Sequence, residues 1–338
     1  MDFTWVDGER LVRFGAGVVD EASSLLASRG FDGYALLTTE RAVAAAPALA
    51  GEAAAVLHVP AGSVPDIAAA VLPDVGDRPL VALGGGRVVD AAKAVAGVER
   101  LPCAAVPTTL AGSPMTPFHR LPAGTRGGSL VRPSVVVWDP ELAGSLAREQ
   151  LVATGMNALA HAFESLYVPH ANPVAEMAAL RAASLFGEQL QRESPNVMDV
   201  ALAALLAGYA VGTTGFAIHH ALCQTTVRVA GLPHANVNAV VLPHSAAFMA
   251  GRAPDAVGRF AAALGEPGEG DGPAAAAVRS SVARLTAETG VEGLAELGLD
   301  ASAIPGIAHA AVGHPAIGNT PGGPPDEREL AAVLTAAL

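Results

Sequence analysis

Short apolar runs and amphipathic helical patterns alternate along the first 150 residues of the chain. The pattern predicts strands at residues 34–39, 54–59, 80–83, 104–106 and 135–138, and helices at residues 17–29, 63–73 and 88–97. The strand segments are rich in small and β-branched apolar residues, which is typical of parallel strands that helices cover on both faces. We therefore predict an α/β domain with a parallel sheet over residues 1–150.

The pattern changes after residue 150, where helical periodicity continues with few plausible strands. It predicts helices at residues 151–170, 173–192, 198–223, 236–250, 255–264, 273–289 and 326–338. We therefore expect an all-helical C-terminal domain over residues 151–338. Residues 265–273 are rich in glycine, proline and acidic residues and are predicted to form a surface loop.

Composition and charge narrow the function classes. Hydrophobic residues make up 51 % of the chain but aromatic residues only 4 %, so the core is expected to consist of Ala, Val and Leu. The formal charge of −12 argues against nucleic-acid binding but allows a small anionic molecule held by local arginines. Glycine, proline and charged residues interrupt every long apolar run, so we expect no membrane span. The two cysteines, Cys103 and Cys223, suit a reducing compartment, so a cytoplasmic location is expected.

A glycine turn follows the strand predicted at residues 80–83. The residues of this turn and of the helix after it that can bind a ligand are Gly84, Gly85, Gly86, Arg87, Asp90 and Lys93. Glycines let the backbone approach a pyrophosphate closely, and a helix N-terminus supplies free N–H groups. The sequence differs from the common G-x-G-x-x-G fingerprint, so an ordinary strand-to-helix turn remains an alternative interpretation.

A second polar segment follows the strand predicted at residues 104–106. Thr108 and Thr109 come directly after Pro107, and small residues follow them. Hydroxyl groups at the carboxyl end of a parallel strand can contact a phosphate or a ribose. A polar surface loop is the alternative interpretation.

Histidines and amides occur at helical spacing in the second half of the chain. Asn157 and His161 are four residues apart, and so are His220 and Gln224, so each pair shares a helix face. His234 follows His220 by fourteen residues. Imidazoles that converge from several helices suit a metal ion or a proton relay, although a single histidine is more often structural.

Together these motifs resemble the iron-containing alcohol dehydrogenase superfamily, and within it the maleylacetate reductase branch. The matching segments lie at residues 84–93, 107–113, 139–140, 154–164, 219–223, 231–234 and 241–244. The resemblance implies a dehydroquinate-synthase-like fold, NADH or NADPH in the cleft between two domains, and a homodimer. We therefore expect the glycine turn and the segment of Thr108 and Thr109 to hold the cofactor.

The resemblance also implies a place for a metal ion. Metal-using members hold Fe²⁺ or Zn²⁺ through one aspartate and three histidines, and the matching positions here are Asn157, His161, His220 and His234. Asparagine replaces the only anionic ligand, as in the maleylacetate reductase branch, so we expect no metal ion. Three histidines alone can hold zinc, which keeps a metal-dependent alcohol dehydrogenase as an alternative.

Four further positions depart from the family pattern. Gln224 stands where the family has a histidine near the nicotinamide, and glutamine cannot exchange a proton near pH 7. Arg87 replaces a serine after the glycines, where it can either bind a phosphate bidentately or crowd the pyrophosphate, and Pro114 replaces an acidic residue. Thr39 stands where relatives carry an aspartate for the adenosine ribose, so the choice between NAD and NADP is open.

The leading hypothesis is a metal-independent NAD(P)H-dependent reductase of a small anionic carbonyl or enol. In it His161, His220 and His234 surround the substrate, and His220 or His234 donates the proton. The candidate partners of a substrate carboxylate are Arg87, Arg120 and Arg126. The alternative to redox chemistry is a lyase, isomerase, dehydratase or ligand-binding protein, because the departures at residues 87, 114 and 224 all fall at the expected site.

Overall fold

The computed structural model describes residues 1–265 and 273–338. Most of the surface loop predicted at residues 265–273 therefore lies outside the described residues. The described chain forms two compact units, Met1–Leu146 and Ala147–Leu338. The first is an α/β unit and the second is helical, which confirms the predicted fold class.

The first unit contains a seven-stranded sheet in the order β1-β2-β7-β6-β5-β3-β4. Its strands are β1 (Phe3–Asp7), β2 (Arg10–Phe14), β3 (Ala35–Thr38), β4 (Ala55–His58), β5 (Leu80–Gly84), β6 (Cys103–Pro107) and β7 (Val135–Trp138). All neighbouring strands are parallel except β1 and β2, which form an antiparallel pair at one edge. The apolar pattern did not predict this pair, because both strands are short and carry charged residues.

Helices cover both faces of this sheet. They are α1 (Ala22–Ser28), α2 (Glu40–Ala45), α3 (Pro47–Glu52), α4 (Val64–Val75), α5 (Gly86–Glu99) and α6 (Pro140–Ala143). Consecutive strand residues point to opposite faces, so Leu36 packs into the apolar cluster on the face covered by α1, and Leu37 into the cluster beneath α4 and α5. The carboxyl ends of β5 and β6 therefore carry the glycine turn and the threonine segment on a rigid support.

The second unit is built from helices. They are α7 (Arg148–Glu164), α8 (Pro173–Gln189), α9 (Val197–Thr214), α10 (Ile218–Ala230), α11 (His234–Ala250), α12 (Pro254–Ala263), α13 (Pro273–Ala287), α14 (Ile304–Val312) and α15 (Glu327–Ala336). The single helix predicted at residues 198–223 is wrong, because α9 ends at Thr214 and α10 begins at Ile218. Gly215 has a φ of 93°, which a helix cannot contain. This break places His219 and His220 in the first turn of a new helix.

Helix α9 bears on the expectation that no membrane span is present. Its 18 residues are long and apolar enough to cross a membrane by length and composition alone, although Asp199 lies among them. Of that window, 67 % is buried inside the protein. Apolar residues on all sides are typical of a helix at the centre of a domain, and α9 packs between α7 and α8.

Candidate active site

Packing at the turn between β5 and α5 requires a glycine at position 84 and leaves little room for a side chain at positions 85 and 86. A Cβ on Gly84 would lie 2.7 Å from Cγ2 of Val88 on the helix that follows. A Cβ on Gly85 would lie 3.0 Å from Cγ2 of Thr109, and one on Gly86 would lie 3.0 Å from Cβ of Ala111. The turn therefore has no side chains between the backbone of α5 and the threonine segment, which leaves the first N–H groups of this helix accessible to a ligand.

Arg87 lies in the first turn of α5, and its side chain is exposed. A cation is unfavourable at a helix N-terminus, because the helix dipole places partial positive charge there. A bound anion removes this conflict, because it accepts hydrogen bonds from the free N–H groups and from the guanidinium at the same time. Arg87 therefore fits a phosphate-binding role.

Thr108 and Thr109 both take part in hydrogen bonds within the first unit. The N–H of Thr108 donates to the carbonyl of Gly84 at 3.0 Å, and its hydroxyl oxygen accepts from Arg41 at 3.0 Å. The hydroxyl oxygen of Thr109 accepts from the N–H of Ala111 at 3.4 Å. These bonds fix the threonine segment against the glycine turn.

Lys93 has its ammonium group among oxygen atoms of the protein. Its side chain is fully buried, and Nζ donates to the carbonyls of Phe118 at 2.7 Å and Ser113 at 3.0 Å. Asp90 lies 2.8 Å from the same Nζ and accepts a hydrogen bond from the Ser113 hydroxyl. Lys93 and Asp90 thus hold the segment after the threonines in place, and any effect of Lys93 on a cofactor passes through that segment.

Thr39 caps the short helix α2, where its hydroxyl accepts from the N–H of Ala42 at 3.3 Å. Arg41 on the same helix donates to Ser145 at 2.9 Å in addition to Thr108. The carboxyl end of β3 therefore presents an uncharged side chain, as the sequence indicated.

In the second unit, Glu164 and His220 form a buried pair. Nδ1 of His220 lies 2.6 Å from a carboxylate oxygen of Glu164, and the other oxygen accepts from the backbone N–H of His220 at 3.3 Å. Both side chains are at most 1 % exposed. The first turn of α10 stabilises this carboxylate, because its N–H groups and dipole favour negative charge. Glu164 was not among the predicted site residues, although it lies three residues after His161 on the same helix and shares its face.

His161 stacks on His220 with 4.7 Å between ring centroids, and Phe216 stacks on His220 at 4.5 Å. Asn157 lies one turn before His161 on α7 and is buried. Among the described residues, Oδ1 of Asn157 and Nε2 of His220 are buried without a hydrogen-bond partner. Buried polar atoms nearly always have partners, so these two are available to a bound molecule or water.

Burial shifts both members of the Glu164–His220 pair. It raises the pKa of the Glu164 carboxyl, and it lowers the pKa of His220, to which the nearby His234 and His314 also contribute. Both shifts disfavour the charged form of the group concerned, so the two side chains are not held as a permanent ion pair. A hydrogen-bonded carboxyl and imidazole of this kind can pass a proton to a substrate.

His219 is a structural histidine beside this pair. It is fully buried, with Nε2 3.0 Å from Oδ1 of Asn238 and Nδ1 2.9 Å from the Ser245 hydroxyl. Burial lowers the pKa of His219 to about 3, so the ring is neutral at physiological pH. Asn238 also donates to the carbonyl of His234 at 2.8 Å and thereby links His219 to the start of α11.

His234 and Gln224 lie at the borders of this cluster. His234 is the first residue of α11, and its side chain is exposed. Gln224 lies one turn after His220 on α10, and its Oε1 is 3.3 Å from Nε2 of His314. His314 was not among the predicted site residues, because it belongs to a segment with no recognisable motif.

The family's metal-binding positions do not fit a metal ion in this arrangement. Within residues 1–265 and 273–338, no group of three or more His, Cys, Asp or Glu side chains is placed to hold one. The rings of His161 and His220 lie nearly parallel, 21° apart, so their in-plane lone pairs do not converge on one point. Asn157 adds no negative charge to the set.

Comparison with known proteins places these features in a family. Residues 151–338 match the C-terminal domain of the Fe-containing alcohol dehydrogenase family. Maleylacetate reductase 2 of Cupriavidus pinatubonensis is 42 % identical over 231 residues, which span 65 % of this chain and 64 % of that protein, just under two thirds of its length. The maleylacetate reductase of Sphingobium indicum is 36 % identical over 323 residues, which span 90 % of this chain and 89 % of that protein.

Solved structures show the same fold over nearly the whole chain. The maleylacetate reductase of a Rhizobium strain has a TM-score of 0.82 at 27 % identity and covers 100 % of this chain and 98 % of its own. An iron-containing alcohol dehydrogenase of Corynebacterium glutamicum has a TM-score of 0.81 at 30 % identity, with 97 % and 94 % covered.

Proposed function

Because this chain is an oxidoreductase of the iron-containing alcohol dehydrogenase family, we propose that it reduces a small anionic carbonyl or enol such as maleylacetate. The reductant is NADH or NADPH, and no metal ion takes part. The observation that carries this proposal is the buried Glu164–His220 pair, in which Nδ1 is fixed and Nε2 is left for a substrate. The curated relatives, which are named maleylacetate reductases, support the substrate class.

The cofactor's pyrophosphate binds at the glycine turn in this proposal. The N–H groups of Gly86 and Arg87 open α5, and the Arg87 guanidinium adds a charge-assisted contact to a phosphate. Thr39 lies at the position expected for the adenosine ribose. When bound, the reduced nicotinamide supplies the hydride.

His220 supplies the proton. Reduction of a carbonyl leaves negative charge on the substrate oxygen, and a positioned acid must neutralise it. Glu164 holds Nδ1, so Nε2 is the donating atom. Burial lowers the pKa of His220, so the resting ring is neutral, and the Glu164 carboxylate stabilises the imidazolium that must form before Nε2 donates. Gln224 lies on the same face of α10 and can donate a hydrogen bond to the same substrate without transferring a proton.

Turnover assays test this function directly. The purified protein is mixed with NADH or NADPH and a panel of 2-oxo and 4-oxo acids that includes maleylacetate, and oxidation of the nicotinamide is followed. We expect turnover with maleylacetate-like acids. No turnover with either cofactor across the panel refutes the proposal, and failure to bind either cofactor points instead to the non-redox alternative.

A metal-dependent alcohol dehydrogenase is the second candidate, because a carboxylate on Nδ1 of a histidine is also the usual second partner of a metal-binding imidazole. Elemental analysis and dialysis against a chelator separate the two candidates. We expect no stoichiometric iron or zinc and unchanged activity after dialysis. Loss of activity that added Fe²⁺ or Zn²⁺ restores favours the second candidate.

A homodimer and a cytoplasmic location complete the proposal. Two-fold dimers are the commonest assemblies among soluble enzymes. Light scattering coupled to size-exclusion chromatography tests the assembly, and a monomer at micromolar concentration contradicts it.

A further inference from the structure

His314 is fixed in one orientation at the start of a short 3₁₀ helix, Pro315–Asn319. It is the N-cap of this helix, and its Nδ1 accepts from the backbone N–H of Ala316 at 3.2 Å. Its Nε2 lies 3.3 Å from Oε1 of Gln224, which is 90 residues earlier in the chain. Both ring nitrogens therefore have partners, and the partners come from different elements.

These two contacts determine where the proton of His314 lies. A backbone N–H can only donate, so Nδ1 must carry the lone pair. The neutral ring then has its proton on Nε2, which donates to Gln224. The acceptor must be Oε1, and this fixes the orientation of the Gln224 amide as well.

The orientation of the amide leaves Gln224 with one kind of polar group. Since Oε1 is engaged by His314, the remaining polar atom is Nε2 with its two N–H donors. Gln224 is half-buried and lies one turn after His220 on α10. A half-buried pair of donors beside a proton-donating histidine suits an oxygen atom of a carbonyl or carboxylate.

The segment that carries His314 is also attached to the start of α10. Nδ2 of Asn319 donates to the carbonyl of Phe216 at 2.7 Å, and the Phe216 ring stacks on His220 at 4.5 Å. The 3₁₀ helix thus contacts α10 near His220 and again at Gln224. Its position is set by the same helix that carries the proposed proton donor.

We propose that His314 is a positioning residue that acts through Gln224, and that the two form a directed relay of hydrogen-bond donors. In this relay the N–H of Ala316 fixes His314, His314 fixes Gln224, and the Gln224 amide binds an oxygen of the anionic substrate. The inference rests on the proposed reductase function, since it names a further group that holds the same substrate.

A kinetic cycle with His314→Asn, Gln224→Met and the double variant tests the relay. Asparagine is a good N-cap and keeps the bond to Ala316, but its shorter side chain withdraws the donor from Gln224. We expect His314→Asn to raise KM for the carbonyl substrate about fivefold to tenfold, the value of one hydrogen bond, with a smaller change in kcat. Affinity for the nicotinamide cofactor and the melting temperature should stay unchanged.

Non-additivity is the second expected result. The double variant should have the KM of Gln224→Met alone, because the relay is already broken there. A KM of wild-type size in His314→Asn, or effects of the two substitutions that multiply, overturns the proposal. If His314 only caps the 3₁₀ helix, the KM of His314→Asn stays at the wild-type value. The control is His309→Asn, which changes an exposed histidine on α14 and should leave all constants unchanged.

A readout without turnover separates this inference from the proposed function. Long-range ¹H–¹⁵N spectra of the histidine rings report which nitrogen carries the proton. We expect the neutral Nε2–H form for His314, with a resonance that shifts in Gln224→Met and not in His309→Asn. A proton on Nδ1, or no response to Gln224→Met, overturns the relay. Absence of wild-type turnover instead overturns the proposed function, and the spectra then decide the His314–Gln224 pairing by themselves.

Discussion

Glu164 and His220 are joined by a hydrogen bond of 2.6 Å between a carboxylate oxygen and Nδ1, although they lie on different helices. Glu164 is the last residue of α7, and His220 is in the first turn of α10. The bond is buried, and Nε2 of His220 is left without a hydrogen-bond partner among the described residues, which makes it the proposed proton donor. Loss of the carboxylate charge should therefore affect chemistry more than binding.

Glu164→Gln is expected to lower kcat about tenfold to hundredfold, the usual effect of removing a partner that orients a reactive histidine. The amide oxygen can still accept from Nδ1, but it no longer stabilises the protonated ring. Steady-state kinetics measure kcat, and fluorescence titration measures cofactor affinity, which should change little.

The matched control for this substitution is Glu188→Gln. Glu188 is 58 % exposed and pairs with Arg192 at the surface, and such pairs contribute little. The kcat of Glu188→Gln should equal that of the wild type. A kcat within twofold of wild type in Glu164→Gln as well would show that the buried charge is dispensable.

Gly84→Ala is expected to destabilise the first unit. The new Cβ would lie 2.7 Å from Cγ2 of Val88, which is fully packed inside the protein, so β5 and α5 must separate. Overpacking of this kind costs about 1–3 kcal/mol. Urea unfolding followed by circular dichroism should show a lower midpoint.

Gly51→Ala is the control for the loss of glycine flexibility. Gly51 lies in helix α3, and an added Cβ there meets nothing within 4 Å. Alanine should leave the midpoint unchanged or raise it, because glycine is about 0.5–1 kcal/mol less favourable than alanine in a helix. Equal midpoints for both variants would show that the Gly84 contact relaxes freely.

Much of the fold was predictable because periodicity reports burial. The strand at residues 80–83 and the helix after Gly86 were both expected from the sequence. The apolar pattern of each lies within its own segment and needs no contact with distant residues. The boundary between α9 and α10 was not, because apolar residues continue through Gly215 and Phe216 and conceal a change in backbone direction. The strands β1 and β2 were missed because both are short and charged residues interrupt their apolar positions.

The candidate site was predictable only where its residues are close in the sequence. Helical spacing grouped Asn157 with His161 and His220 with Gln224. His314 lies 90 residues from Gln224, and no local pattern records such a contact. Lys93 was expected to bind the cofactor from its place after the glycine turn, but only the tertiary structure shows that carbonyl groups surround its ammonium.

Thr39→Asp is expected to shift cofactor preference toward NADH. An aspartate at this position accepts from the ribose 2′-OH of NADH and repels the 2′-phosphate of NADPH. It also caps helices well, so α2 should remain formed. The ratio of KM for NADPH to KM for NADH should rise about tenfold or more, the equivalent of about 1.4 kcal/mol.

Thr39→Asn separates charge from capping, because asparagine caps as well as aspartate and has nearly the same shape. The ratio of KM for NADPH to KM for NADH in Thr39→Asn should stay close to that of the wild type. The same ratio in both variants would place the adenosine ribose away from residue 39.

Acid should destabilise the protein through His219. Burial lowers its pKa from 6.5 to about 3 in the folded state, so below pH 6.5 the unfolded chain binds a proton that the folded protein does not. The stability contributed by neutral His219 is thus complete above pH 6.5. It falls by up to about 1.4 kcal/mol per pH unit as the pH decreases toward the pKa of His219 in the folded state.

His219→Gln removes this titrating group while keeping polar contact with Asn238 and Ser245. Urea unfolding at several pH values between about 6.5 and 5 should give a shallower decline for the variant, because the other groups contribute equally to both curves. Parallel curves would mean that His219 takes up a proton in the folded state.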